Sequence, residues 1–211
     1  VTMRILYCNG LQNEFNQRLI ERQNRELAHK NTLLSESAQD AGSLCCVDSL
    51  TGMANRISFL EILKKEWKRA IRNKNELSII AADIDQFSSL NARYGKKDGN
   101  AALEKVAAAL GEAIFRPADV AARYGDDKFI ILLPDTGENG ARTVAERMLK
   151  SVALLNIAHP ISDGGLLRIA TGEITVQPSD NSLPEDAVRQ AFSIIRPAKK
   201  ENIAEDNCSE V

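Results

Sequence analysis

The stretch DVAARYGDDKFIILLP, residues 119 to 134, decides the reading of this chain. DVAARY and KFIILLP read as two strands, and the short link Gly125-Asp126-Asp127 joins them as a hairpin with carboxylates at its tip. Glycine at the first turn position suits a type II′ turn. LSIIAADI (77 to 84) is also too apolar to be anything but a buried strand, so the chain carries a sheet.

Working outward, apolar residues recur at helical spacing on either side of these strands. Ile57 to about Asn73 is an amphipathic helix through Phe59, Leu60, Leu63, Trp67 and Ile71, and its basic run KKEWKRAIRNK is a solvated face with a buried stripe behind it. Asn100 to Phe115 is a second helix carrying Leu103, Val106, Leu110 and Ile114 inward, and a third runs from about Asn139 to Leu155. LLRIATGEITV (166 to 176) is a further strand, and Glu185 to Ile195 is a last helix stopped by Pro197. Strands and helices interleaved with a hairpin specify an α+β sheet flanked by helices, not a repeating βαβ wheel.

Upstream, residues 11 to about 44 are polar and almost free of Gly and Pro, with Ile20, Leu27 and Leu34 spaced by seven. This is either a short coiled-coil seam with Asn24 and Asn31 at a positions, or one amphipathic helix lying on its own domain. The expected organisation is an N-terminal helix over 1–45, a globular domain over 46–204 and a disordered acidic tail over 205–211. The opening VTMRILYC reads as if cut from something longer, with room for an upstream sensor or membrane segment.

Composition narrows the function classes. Of 211 residues 44% are hydrophobic and the formal charge is -2, a soluble globular balance without the field that draws nucleic acid or acidic membrane. Four cysteines, including the adjacent Cys45 and Cys46, fit neither a disulfide framework nor a CxxC metal site, so a reducing cytoplasm is expected and this adjacent pair is read as packing or linker. No apolar run reaches the ~18 residues of a membrane span.

Carboxylates collect at two strand ends: Asp83 and Asp85 close one strand as DID, and Asp126 and Asp127 sit at the hairpin tip. If the two places meet, they can hold Mg²⁺ with few protein ligands and leave the other positions to water and triphosphate oxygens. The alternative is that turns collect Asp for their own backbone hydrogen bonds.

The order DSLTGMANR (48 to 56), ADIDQFSSLNARYG (82 to 95), RYGDDKF (123 to 129) and LLPDT (132 to 136) resembles the GGDEF domain of bacterial diguanylate cyclases, over about residues 46 to 204. The resemblance implies a sheet of cyclase or polymerase-palm (ferredoxin-like) type. It also implies that two domains, each with one GTP and two divalent metals, jointly make cyclic di-GMP as each 3′-hydroxyl attacks the partner's α-phosphorus.

Several departures bear on that activity. Where the family has Gly-Gly-Asp-Glu-Phe, this chain has Gly125, Asp126, Asp127, Lys128 and Phe129. Asp83 and Asp127 match metal and catalytic positions, but the fourth place of the signature is a cation. An ammonium ~5 Å from a divalent ion at an effective dielectric constant of about 20 repels it by roughly 6 kcal/mol unless the lysine swings away. Asp126, in place of the second glycine, adds bulk and like charge where backbone must approach a triphosphate. Asn91 matches a guanine-reading Asn, whereas the second reader, an Asp in the family, is Asn100. A carboxylate accepts from both the N1–H and the amino group of guanine, and an amide cannot. The family's Lys after DxDxF is Ser88; of two basic phosphate contacts near the C-terminus, Lys199 is kept and the other aligns with Ile203.

One further family site is filled. The resemblance implies a product-inhibition site, Arg-x-x-Asp ending five residues before the signature, and Arg116-Pro-Ala-Asp119 stands at that offset. A second arginine of that site matches Arg147. An arginine fork donates to guanine O6 and N7 and an aspartate accepts from the N1–H and amino edge, so the three could hold cyclic di-GMP. The competing interpretation is a surface salt bridge between Arg116 and Asp119 across a helix end.

The expectation from sequence is therefore a catalytically impaired domain that receives cyclic di-GMP through Arg116, Asp119 and Arg147 and signals by dimerisation to an unknown partner, with Mg²⁺ only if GTP is bound. The alternatives are a slow or relaxed diguanylate cyclase and a dimerisation scaffold that binds no nucleotide.

Overall fold

The computed structural model describes residues 46–159, 162 and 164–195. The expected N-terminal helix and its heptad seam, with Cys45, Pro197, Lys199, Ile203 and the acidic tail, lie outside the described residues. Over the rest, the chain runs β1 (Ala54–Asn55), α1 (Arg56–Asn73), β2 (Leu77–Ile84), α2 (Phe87–Tyr94), α3 (Lys96–Ala113), β3 (Val120–Arg123), β4 (Lys128–Pro134), α4 (Glu138–Leu154), β5 (Ile169–Val176) and α5 (Pro184–Ser193). The strands form one mixed sheet in the order β1-β3-β4-β2-β5, in which only β1 and β3 are parallel. This is the palm-like α+β arrangement expected from sequence.

The apolar runs explain the layers. β2 and β4 are the two central strands, and both are buried along nearly their whole length, so each must be covered on both faces. Ile80, Ala82, Ile84, Phe129, Ile131 and Leu133 pack under α2, α3 and α4. The alternate residues Leu77, Ile79, Ala81, Ile130 and Leu132 pack under α1 and α5. α1 starts where the Asn55 side chain accepts from the Ser58 N–H at 2.9 Å, and it buries Phe59, Leu63, Trp67 and Ala70. α5 lies unusually close to β5 because position 172 is glycine: a Cβ there would come within 2.5 Å of the Ala191 carbonyl oxygen.

Three local expectations are corrected. The helix expected from Asn100 begins at Lys96, and a separate helix, α2, precedes it; Gly95, at φ 87, forms the corner between the two. β5 begins at Ile169, three residues later than expected, because Leu167 instead donates to Ile157 and Leu166 only bridges Ala158. The hairpin is not closed by a type II′ turn. Gly125 is not among the glycines at positive φ, and the loop spans Tyr124 to Asp127, with the N–H groups of Tyr124 and Gly125 both donating to Lys128 O at 2.8 and 3.2 Å. The wider loop is held by Arg123, whose guanidinium donates to the carbonyls of Gly125 at 3.1 Å and Asp126 at 2.7 Å. Among the described residues no helix is long and apolar enough to cross a membrane.

Candidate functional site

The two carboxylate-bearing strand ends meet. Antiparallel pairing of β2 with β4 sets Asp83 directly opposite Lys128, and the Ile84 N–H donates to the Asp127 carbonyl at 3.2 Å. Strand alternation puts Asp83 and Lys128 on the face covered by α1 and α5, with Asp127 at the loop margin. Burial raises the pKa of Asp83, the like charges of Asp127 and Asp85 add to the rise, and Lys128 partly opposes it. Asp85 is also raised by burial, against the opposing charges of Arg168 and His159. The Lys128 Nζ lies 5.9 Å from the centre of the Phe192 ring on α5, and its charge still acts on Asp83. Phe192 contacts Tyr124, with ring centres 5.1 Å apart, and Arg56 covers Tyr124 at 4.7 Å. Among the described residues no three His, Cys, Asp or Glu side chains converge as a metal cage.

The guanine-reading positions fall on the helices beside this strand end. Asn91, on α2, leans onto Gly99 of α3 so closely that a Cβ at Gly99 would lie 1.8 Å from Asn91 Oδ1. That oxygen is buried without a hydrogen-bond partner. Asn100 is exposed on α3, and Ser88 is exposed on α2.

A contact not foreseen from sequence fixes the signature loop. Asp48 in DSLTG accepts from the Thr51 N–H at 2.9 Å and hydroxyl at 2.8 Å, and its carboxylate also takes Arg123 Nη1 at 3.1 and 3.3 Å. Burial alone would raise its pKa, but the Thr51 and Arg123 hydrogen bonds win and hold it below the ordinary value. The signal was present as an Asp three residues before a Thr, a local side-chain turn, but its pairing with Arg123 spans 75 residues.

Arg116, Asp119 and Arg147 converge on a cavity of about 280 Å³, lined also by Phe115, Thr136 and Thr143. The surface salt bridge is not what forms there. Arg116 Nη1 donates to Thr136 Oγ1 at 3.1 Å, and the Arg147 guanidinium lies 4.2 Å over the Phe115 ring. Asp119 Oδ1 and Arg147 Nε are buried without hydrogen-bond partners among the described residues. Burial raises the pKa of Asp119, opposed by Arg116 and Arg147. Two arginine forks and a desolvated carboxylate around one cavity suit a planar anionic ligand that both accepts and donates. The Thr136 and Phe115 contacts could not be read from local sequence. β4 links the two places: Lys128 opens it and Pro134 closes it, so they lie about 20 Å apart.

Comparison with known proteins agrees with the fold. The family described as "Diguanylate cyclase, GGDEF domain" matches residues 45–204. The chain is 33% identical over 115 residues to diguanylate cyclase DgcP of Pseudomonas aeruginosa, covering 54% of this chain and 17% of that protein. It is 32% identical over 145 residues to the probable diguanylate cyclase DgcE of Escherichia coli, covering 68% of this chain and 13% of that protein. It thus spans well under a fifth of either relative. The crystal structure of the coiled coil and GGDEF domain of DgcB from Caulobacter crescentus, in complex with c-di-GMP, superposes with a TM-score of 0.64 at 22% identity, covering 82% of this chain and 91% of that one.

Proposed function

Since the chain belongs to the diguanylate cyclase GGDEF family, we propose that it is a catalytically impaired member that receives cyclic di-GMP through Arg116, Asp119 and Arg147 and passes the signal on by pairing of domains. The observation that carries this reading is the cavity in which those three side chains converge, with Asp119 Oδ1 and Arg147 Nε buried and unsatisfied. A buried polar atom without a partner is costly, and a ligand that supplies the partner recovers that energy on binding. Guanine offers O6 and N7 to an arginine and N1–H and an amino group to the carboxylate, and a cyclic dinucleotide adds phosphates for the second arginine.

The synthesis end supports the same reading by contrast. GTP turnover in this family implies two divalent ions. The donors here are Asp83 and Asp127, with Lys128 in register where a further carboxylate would stand. Two carboxylates and an ammonium leave one net negative charge, too little for two dications, and Asp126 adds repulsion toward a triphosphate. These residues do not fit that pair of ions, so turnover is expected to be lost, and Asn100 in place of an acid weakens guanine selection as well.

One observation favours a slow cyclase as the second reading: pairing of β2 with β4 brings Asp83 and Asp127 together at one strand end, where a divalent ion would need them. Isothermal titration with cyclic di-GMP on the wild type and Arg116→Ala, with a GTP and Mg²⁺ turnover assay on the same preparation, separates the readings. Micromolar or tighter binding that is lost in the variant, without turnover, is expected. Turnover without binding would establish the cyclase instead.

A further inference from the structure

We propose that Thr136 and Phe115 are positioning residues, which hold Arg116 and Arg147 off Asp119 and so keep the carboxylate of the pocket open to an incoming ligand. The identity of that ligand rests on the reading above; the geometry does not.

Arg116 and Asp119 stand three residues apart in a turn closed by the Asp119 N–H donating to Arg116 O at 3.0 Å. Left alone, a guanidinium and a carboxylate so placed would pair, each cancelling the other's capacity for an outside partner. Arg116 is drawn elsewhere by Thr136 Oγ1. The polarity of that contact is set, because the Thr136 hydroxyl gives its only proton to Pro134 O at 2.9 Å and presents a lone pair to the arginine.

Thr136 is itself a fixed post. It is 6% exposed, and its carbonyl accepts from the Ser78 hydroxyl at 2.6 Å. Its methyl occupies space on α4 that only a glycine leaves, since a Cβ at Gly140 would come within 2.7 Å of Thr136 Cγ2. Arg147 has a neutral partner too. Phe115 is 71% exposed, which a large apolar ring tolerates when a guanidinium stacks on it. Both cations are therefore held by uncharged groups, and Asp119 Oδ1 is left buried and unpaired. The upward pKa shift of Asp119, caused by burial and only opposed by the arginines, agrees with that separation.

The test is a ¹³C NMR titration of the Asp119 carboxyl in the full chain, with isothermal titration of cyclic di-GMP alongside. Thr136→Val keeps the shape and removes the acceptor; Thr136→Ser keeps the acceptor; Phe115→Ala removes the exposed ring without touching the core. In Thr136→Val the Asp119 titration should move down as Arg116 swings onto it, and cyclic di-GMP binding should weaken about tenfold, the worth of one hydrogen bond to a charged group. Thr136→Ser should restore both, and Phe115→Ala should lower the Asp119 titration through Arg147. An Asp119 titration unmoved in both Thr136→Val and Phe115→Ala would overturn the proposal, whether or not the nucleotide binds. A titration that moves in Thr136→Val and Phe115→Ala while the wild type binds no cyclic di-GMP would uphold the positioning and sink the receptor reading alone.

Discussion

At position 128 a cation stands directly across the β2–β4 ladder from Asp83, with its ammonium turned toward Phe192. Changing Lys128→Glu replaces a repelling charge with a donor in a frame that already carries Asp83 and Asp127. That variant should gain an Mg²⁺-dependent rise in Tm of a few degrees in the presence of a non-hydrolysable GTP analogue, whereas the wild type should not. Differential scanning fluorimetry with and without the metal checks it. Asp83 gives a second prediction at this scale. Its folded pKa lies above its ordinary value of 3.8, so the folded state holds this proton more tightly than the unfolded chain. Its charge therefore detracts from stability at neutral pH, and the penalty disappears once the pH falls below 3.8. Asp83→Asn should raise Tm at neutral pH, and the gain should vanish in acid, as thermal unfolding at the two conditions would show.

The elements meet at the loop before β4, where one side chain joins distant segments. Arg123 binds the carbonyls of Gly125 and Asp126 and the carboxylate of Asp48, so a single guanidinium ties the DSLTG turn to the signature loop. Arg123→Ala leaves Asp48 half-buried without its cation and should destabilise the domain by about 2–3 kcal/mol, measurable by urea unfolding. The Asp48 half has the opposite sign from Asp83. Its folded pKa is depressed, so its contribution is complete above 3.8 and is lost as the pH falls through the folded value. Asp48→Asn should accordingly be least stable relative to wild type at neutral pH. Much at this scale was legible in the sequence: KFIILLP and LSIIAADI read as strands, the second of them buried, and the Phe59, Leu63, Trp67 stripe read as a helix face. α2 was not, because FSSLNARY is short and polar and only Phe87 and Leu90 reach the core. The turn type was misread because Gly125 suggested positive φ, while Arg123, acting through its side chain, selected the wider loop. The pocket was half legible. A fixed offset picked out Arg116 and Asp119, but Thr136 enters through a contact 20 residues away, and no local pattern carries that.

For the whole molecule, ligand binding and stability are linked. A ligand that binds only the folded domain, present at 100 times its Kd, adds about 2.7 kcal/mol, equivalent to roughly 5–10 °C in Tm for a chain of this size. Cyclic di-GMP should produce that rise in the wild type and not in Arg147→Ala, while Trp67, on the buried face of α1, reports the same unfolding by fluorescence. The strand β4 bears on the history of such a domain as much as on its energetics. Lys128 begins it and Pro134 ends it, and the residues between them are buried on both faces of a central sheet. Substitutions that dismantle one end therefore touch no side chain at the other. Selection can discard the chemistry at the hairpin tip one residue at a time while the far end goes on being inherited intact, and a retired enzyme of this architecture is free to keep its ear after losing its hands.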